Sequence, residues 1–136
     1  MVTATGDMRR PVFGREQEAR IVMDEFDAQA REGNCVNLAY VVMPDHVHWI
    51  FQLTSNGRLS GVVAKAKGRS AHRINRLKNR RGRIWQPGFH DHAVRQEEDL
   101  ENLANYVIHN PVRAGLVVEP GDYRYWWSAW HPRHRA

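Results

Sequence analysis

Residues 40–52, Tyr-Val-Val-Met-Pro-Asp-His-Val-His-Trp-Ile-Phe-Gln, restrict what this chain can fold into more than any other stretch. Two apolar runs flank a short polar insert. Cys35 to Met43 is rich in Val, Leu and Tyr and predicts a strand, Pro44-Asp45 a turn, and His46 to Leu53 a returning strand. The result is a tight antiparallel hairpin. Side chains alternate faces along a strand, so His46 and His48 point one way and Val47 the other, into a core. Two imidazoles on one rigid face can hold a metal ion with little ordering cost. A histidine pair this short is also common on the polar side of a half-buried strand, so the rest of the chain has to decide.

At 136 residues with 42% apolar content, the chain has the size of one domain with a real core. The single cysteine, Cys35, excludes an internal disulfide and a cysteine-rich zinc module. No apolar run approaches the length of a membrane span, and the first residues lack a signal-peptide pattern. These features predict a soluble, cytoplasmic protein with no membrane partner. The net charge of +5 is unevenly spread: residues 58–95 carry eleven Lys/Arg against one acid, Asp91. Residues 1–57 carry five against eight, and residues 96–136 four against six. So lopsided a middle third points to a polyanion, most simply nucleic acid.

Along the chain, Val2 to Thr5 reads as a short first strand. Ala19, Val22, Met23 and Phe26 recur at helical spacing between Arg15 and Arg31, and Gly33-Asn34 stops that helix. Leu59 to about Arg80 predicts a second helix with a stripe of Leu59, Val62, Val63, Ala66, Ile74 and Leu77. Gly68 is a candidate kink or break, at a cost of about 1 kcal/mol relative to alanine. Lys65, Lys67, Arg69, Arg73 and Arg76 decorate its other faces, and Arg83 extends the charge into the next loop. Long cations of this kind suit phosphate contacts, which carry no sequence information. Trp85 and Phe89 stand in the turn that follows. His90 to Arg95 predicts a third full strand. Its second histidine pair, His90 and His92, brackets Asp91 and lacks a buried face, so it is left outside the metal site. Gln96 to Asn110 predicts a third helix, its stripe made of Leu100, Leu103, Ala104 and Val107, with Pro111 ending it. Tyr123 to Trp130 is an aromatic tail that either covers the sheet or stacks on bases.

Tyr106 and Asn110 are four apart and share the edge of the third helix's stripe. Alone, Tyr106 reads as a packing residue and Asn110 as a helix end. Together with the histidine pair they suggest chemistry. A tyrosine hydroxyl can attack a phosphodiester when a divalent metal polarises the phosphate. Two strand histidines plus an oxygen ligand, which Asn110 could donate, leave open positions for phosphate oxygens. His72, His109, His131 and His134 receive no role.

Four stretches taken in order also resemble a known family. They are Val42-Met-Pro-Asp-His-Val-His48; Trp85-Gln-Pro-Gly-Phe-His-Asp-His92 with Arg95; Tyr106-Val-Ile-His-Asn-Pro-Val-Arg-Ala-Gly-Leu-Val117; and Tyr123 to Ala129. Over roughly residues 35–130 the chain resembles the single-tyrosine HUH (histidine, hydrophobic, histidine) transposases, most closely the branch associated with repetitive extragenic palindromes. The resemblance implies an α+β fold, an antiparallel sheet with helices packed on it in a ferredoxin-like or RRM-like sandwich. It implies His46, His48 and Asn110 as ligands of Mg²⁺ or Mn²⁺, and Tyr106 as the nucleophile forming a 5′-phosphotyrosine. The partner would be single-stranded DNA carrying a palindromic hairpin, its backbone held by the basic helix and its bases touched by Trp85 or Phe89. Such proteins act as monomers or homodimers. The first strand here is shorter than the family's. Two other readings fit the same residues: a non-catalytic RRM-like module that binds a hairpin, and a replication-initiator-type HUH nickase.

Overall fold

The computed structural model describes residues 1–94 and 97–131. The predicted hairpin is its centre. Strands β2 (Cys35–Val42) and β3 (His46–Leu53) pair antiparallel, with Val42 opposite Val47, Val41 opposite His48 and Tyr40 opposite Trp49. The Pro44-Asp45 turn is closed by the Met43 N–H donating to the His46 carbonyl at 2.8 Å. A bulge between Asn37 and Ala39 turns the Asn37 amide inward. That amide donates to the Phe26 carbonyl and accepts from the Trp49 indole at 2.8 Å, so this buried polar group is satisfied.

Strand β1 (Val2–Thr5) pairs with the other edge of β3 and carries β4 (His90–Asp91) beyond it; β5 (Trp126–Ser128) pairs with β2. The five-stranded sheet runs β4-β1-β3-β2-β5, antiparallel throughout, as in a ferredoxin-like sandwich with one added edge strand. Helices α1 (Glu16–Arg31) and α2 (Leu59–Lys78) lie together on one face. Their Val22, Phe26, Val62, Ala66 and Ile74 pack on Val2, Ala4, Tyr40, Val42, Val47 and Trp49. Helix α3 (Glu97–Ile108) lies on the opposite face, where Ala104, Val107 and Ile108 meet Ala39, Val41, Met43, Ile50 and Trp126. The sheet is thus the middle of three layers.

Several expectations need correcting. Helix α2 runs unbroken through Gly68, where an added Cβ would meet nothing within 4 Å, so no steric demand for glycine exists there. Gly57 is different: a Cβ would lie 1.9 Å from the Asn34 carbonyl oxygen, and only glycine lets the loop from β3 into α2 close on the end of α1. Leu77, expected in the α2 stripe, is 46% exposed. The strand expected over His90–Arg95 forms only at His90–Asp91; its end at Arg95 lies outside the described residues, as do Gln96 and His134. The aromatic tail contributes a strand, β5, because Trp126 and Ser128 face the α3 side while Trp127 packs near Tyr40. No described helix is long and apolar enough to cross a membrane.

Candidate active site

The period-two alternation of β3 divides its side chains. Val47 and Trp49 enter the core beneath α1 and α2, while His46 and His48 stand on the α3 side, their ring centroids 5.0 Å apart. Both are half-buried, and each ring is held by its Nδ1. That of His46 lies 2.7 Å from the Asp45 carboxylate; that of His48 lies 2.9 Å from the Thr3 hydroxyl, Thr3 being its cross-strand partner on β1. The carboxylate can only accept, so His46 carries its proton on Nδ1 and its lone pair on Nε2, the tautomer that ligates a metal; the Thr3 hydroxyl can accept from the same tautomer of His48. Asp45 also accepts from the Arg9 guanidinium at 3.4 Å. Burial works to raise its carboxyl, but the bond to His46 and the charges of His46 and Arg9 prevail and hold it below its ordinary value. Burial, helped by the charges of His46 and Arg113, pulls the His48 imidazole down to about 4, so it stays neutral at physiological pH.

The helical half arrives from the other direction. Pro111, expected only to end the third helix, opens a new one. Helix α4 (Asn110–Arg113) follows directly after α3, with the proline in its first turn, where a missing N–H costs nothing. This places Asn110 at a helix start, half-buried, with its amide nitrogen 3.3 Å from His46 Nε2. Asn110 is therefore the residue that joins the α3–α4 corner to the histidine strand. Tyr106, one turn earlier, is 57% exposed, and its ring lies under the Arg113 guanidinium, 3.6 Å from carbon to ring centroid. It borders a cavity of about 590 Å³ shared with His92, Val94, Asn102 and Leu103. Among the described residues, no group of three or more His, Cys, Asp or Glu is arranged to hold a metal. A cation here would depend on two imidazoles, the Asn110 amide oxygen and oxygens brought by a substrate. That set suits a divalent ion with exchangeable positions.

The candidate DNA contacts are more scattered than a single basic helix suggests. Helix α2 lies on the sheet face away from His46 and His48. Arg69 is paired with Glu32, and Arg73 with Glu25 at 2.8 Å and Asp24 at 3.5 Å, so acids on α1 and at its C-terminal cap neutralise part of its charge. Lys67 reaches across to donate to the carbonyls of Gln86 at 2.8 Å and Gly88 at 2.7 Å, fixing the loop before β4. Lys65, Arg76 and Arg83 are exposed. Trp85 does not fit a base contact: it is 6% exposed, packs on Phe13 at 4.4 Å and donates its indole N–H to Ser70. Phe89 is half-buried against the core and lines a groove of about 520 Å³ with Thr3, Thr5, Arg9, Gln86 and His90. Because Thr3 pairs with both His48 and His90, this groove opens on the same face as the histidine pair.

Sequence reasoning missed Thr3, Asp45 and Arg113. Asp45 was visible as the residue before His46 but was read only as a turn former. Arg113 follows Tyr106 by seven residues, two helical turns, a spacing that goes unnoticed once Pro111 is taken as a stop. Thr3 carries no sequence signal, since its role arises from strand pairing.

A family model described as "Transposase IS200 like" matches residues 2–110. A Haemophilus influenzae protein assigned as a REP-associated tyrosine transposase is 32% identical over 104 residues, covering 69% of this chain and 58% of its own length. The REP-associated tyrosine transposase of Escherichia coli is 35% identical over 86 residues, covering 62% and 49% respectively. The chain thus spans about half the length of these relatives. A solved structure of a REP-associated tyrosine transposase bound to a REP hairpin superposes with a TM-score of 0.77 at 24% identity, covering 92% of this chain and 73% of that one; at this identity the likeness concerns the fold. With the family model spanning most of its residues, the chain belongs to the IS200-like transposase family.

Proposed function

We propose that this protein is a metal-dependent endonuclease and strand transferase for single-stranded DNA bearing a hairpin, working through a 5′-phosphotyrosine at Tyr106. The observation that carries the reading is the approach of Asn110 to His46 Nε2, which joins the helix of the nucleophile to the strand of the histidines. His46 and His48, through Nε2, and Asn110, through its amide oxygen, would hold Mg²⁺ or Mn²⁺. The bound ion would polarise the scissile phosphate and offset its charge. Asp45, as an acceptor, keeps the His46 ring in the ligating tautomer, and the Thr3 hydroxyl can accept from His48 Nδ1–H to support the same tautomer there. The Tyr106 hydroxyl attacks phosphorus and loses its proton to solvent. The new O–P bond forms as the P–O3′ bond breaks; the electron pair leaves with O3′, which takes up a proton. The liberated 3′-hydroxyl can attack the phosphotyrosine in reverse, so strands are cut and rejoined with no high-energy cofactor. The hairpin-bound relative and the basic middle third support the choice of substrate.

The test is incubation with hairpin-bearing single-stranded oligonucleotides and Mn²⁺, followed by denaturing electrophoresis. A covalent adduct is expected from the wild type, and none from His48→Ala, which should still bind the hairpin. Absence of any adduct across palindromic substrates would sink the proposal. Loss of hairpin binding together with cleavage in His48→Ala would make the histidine structural instead.

A further inference from the structure

The Arg113 guanidinium is the one cation in direct contact with Tyr106 among the described residues, stacked 3.6 Å from the centre of its ring. It belongs to the same four-residue helix as Asn110, and its charge also reaches His48. No acidic partner of Arg113 occurs among the described ion pairs, so its charge is not already spent on a carboxylate. Stacked arginine differs from lysine in that its flat, always-charged fork can lie on a ring and still direct N–H groups sideways at a phosphate. An exposed tyrosine on a helix otherwise samples several rotamers, most of them unproductive for in-line attack.

We infer that Arg113 is a positioning residue for the cleavage step: it holds the Tyr106 ring in one orientation and presents a permanent positive charge to the non-bridging oxygens of the phosphate that Tyr106 attacks. This inference rests on the proposed tyrosine chemistry. The short α4 is what makes it possible. Pro111 starts a helical turn that carries both Asn110, the proposed ligand, and, one turn later, the cation, so these two groups share one short element. A cation fixed in advance where charge accumulates lowers the barrier without reorganising during reaction.

The experiment compares wild type, Arg113→Gln, Arg113→Lys and Arg113→Ala on one hairpin oligonucleotide with saturating Mn²⁺, measuring binding by filter retention and single-turnover adduct formation separately. We expect hairpin affinity to change by about twofold at most, because one exposed phosphate contact is a small part of the total. The adduct rate of Arg113→Gln should fall by about 10²-fold, the scale of losing one preorganised charge in a transition state. Arg113→Lys should recover part of that rate, since it keeps the charge but not the flat stack. Added methylguanidinium should speed Arg113→Ala and leave wild type unchanged, a response a merely structural arginine would not give. Wild-type rates in Arg113→Gln, or a slow Arg113→Ala that methylguanidinium does not rescue while thermal unfolding shows an intact fold, would overturn the inference alone. A wild type that forms no adduct would overturn the tyrosine chemistry and this inference with it.

Discussion

The two faces of the sheet are built from the same strands and do opposite work. On the α1/α2 face, Val47 and Trp49 of β3 join Val2, Ala4, Tyr40 and Val42 in a closed core, where the Asn37 amide is taken up by hydrogen bonds to the Phe26 carbonyl and the Trp49 indole. On the α3 face, helix α3 covers β2, β5 and Ile50 and leaves β1 and the start of β3 uncapped. There the residues are Thr3, Thr5, His46 and His48, paired with one another across strands. One layer of helices completes the fold; the partial layer opposite creates a polar shelf with a helix end beside it. Alternation along eight residues of β3 therefore separates what holds the protein together from the histidines proposed to carry its chemistry.

The largest effect should come from breaking the closed face. Trp49 is 1% exposed, stacks on Phe26 at 4.2 Å and donates to Asn37. Trp49→Ala should cost about 3–5 kcal/mol of stability by denaturant unfolding. A loss under 1 kcal/mol would mean that this face is not the load-carrying core. The open face should register instead as pH sensitivity. Burial holds His48 at about 4 in the fold against an ordinary 6.5 when unfolded. Between those values the unfolded chain takes up a proton that the folded one refuses, so stability should fall as pH drops from 6.5 towards 4 and gain nothing from this group above 6.5. The total is up to about 3 kcal/mol. Unfolding measured with a chelator present should show that slope in the wild type and a flatter one in His48→Gln; equal slopes would contradict the burial assigned to the ring. A smaller change is expected from Thr3→Val, which removes the support of His48 Nδ1 while leaving every proposed ligand in place. Mn²⁺ affinity by titration calorimetry should drop by about 10- to 100-fold, worth about 1.4–2.7 kcal/mol, whereas unfolding in chelator should barely move.

Much of this division was legible in the sequence because its signals are local. The hairpin and the same-side placement of His46 and His48 follow from period and turn chemistry, whereas Tyr106 and Asn110 fall on two successive helices, α3 and α4. The relation between the pairs was not legible, since nothing local says that the end of α3 meets the start of β3. Thr3 became a support for His48 only through β1–β3 pairing, and β5 was hidden in an aromatic run that reads equally well as a cover. The basic block misled in a specific way. Charge density along α2 was clear, but the sequence could not show that Asp24 and Glu25 of α1 and Glu32 just beyond it pair with Arg73 and Arg69, or that Lys67 braces a loop. Trp85 misled for a related reason: an aromatic residue in a Pro-Gly turn suggests a surface, and only the packing against Phe13 and Ser70 reveals a core residue.

The central claim is that the open face and Tyr106 together cut one DNA strand and keep its 5′ end. The most direct measurement uses a hairpin oligonucleotide carrying different labels at its two ends, incubated with the protein and Mn²⁺ and resolved under denaturing conditions. The account predicts that the label from the 3′ side of the cut stays on the protein, that the 5′-side fragment is released with a free 3′-hydroxyl, and that Tyr106→Phe yields neither product. Retention of the 5′-side label, or an adduct that survives Tyr106→Phe, would contradict it.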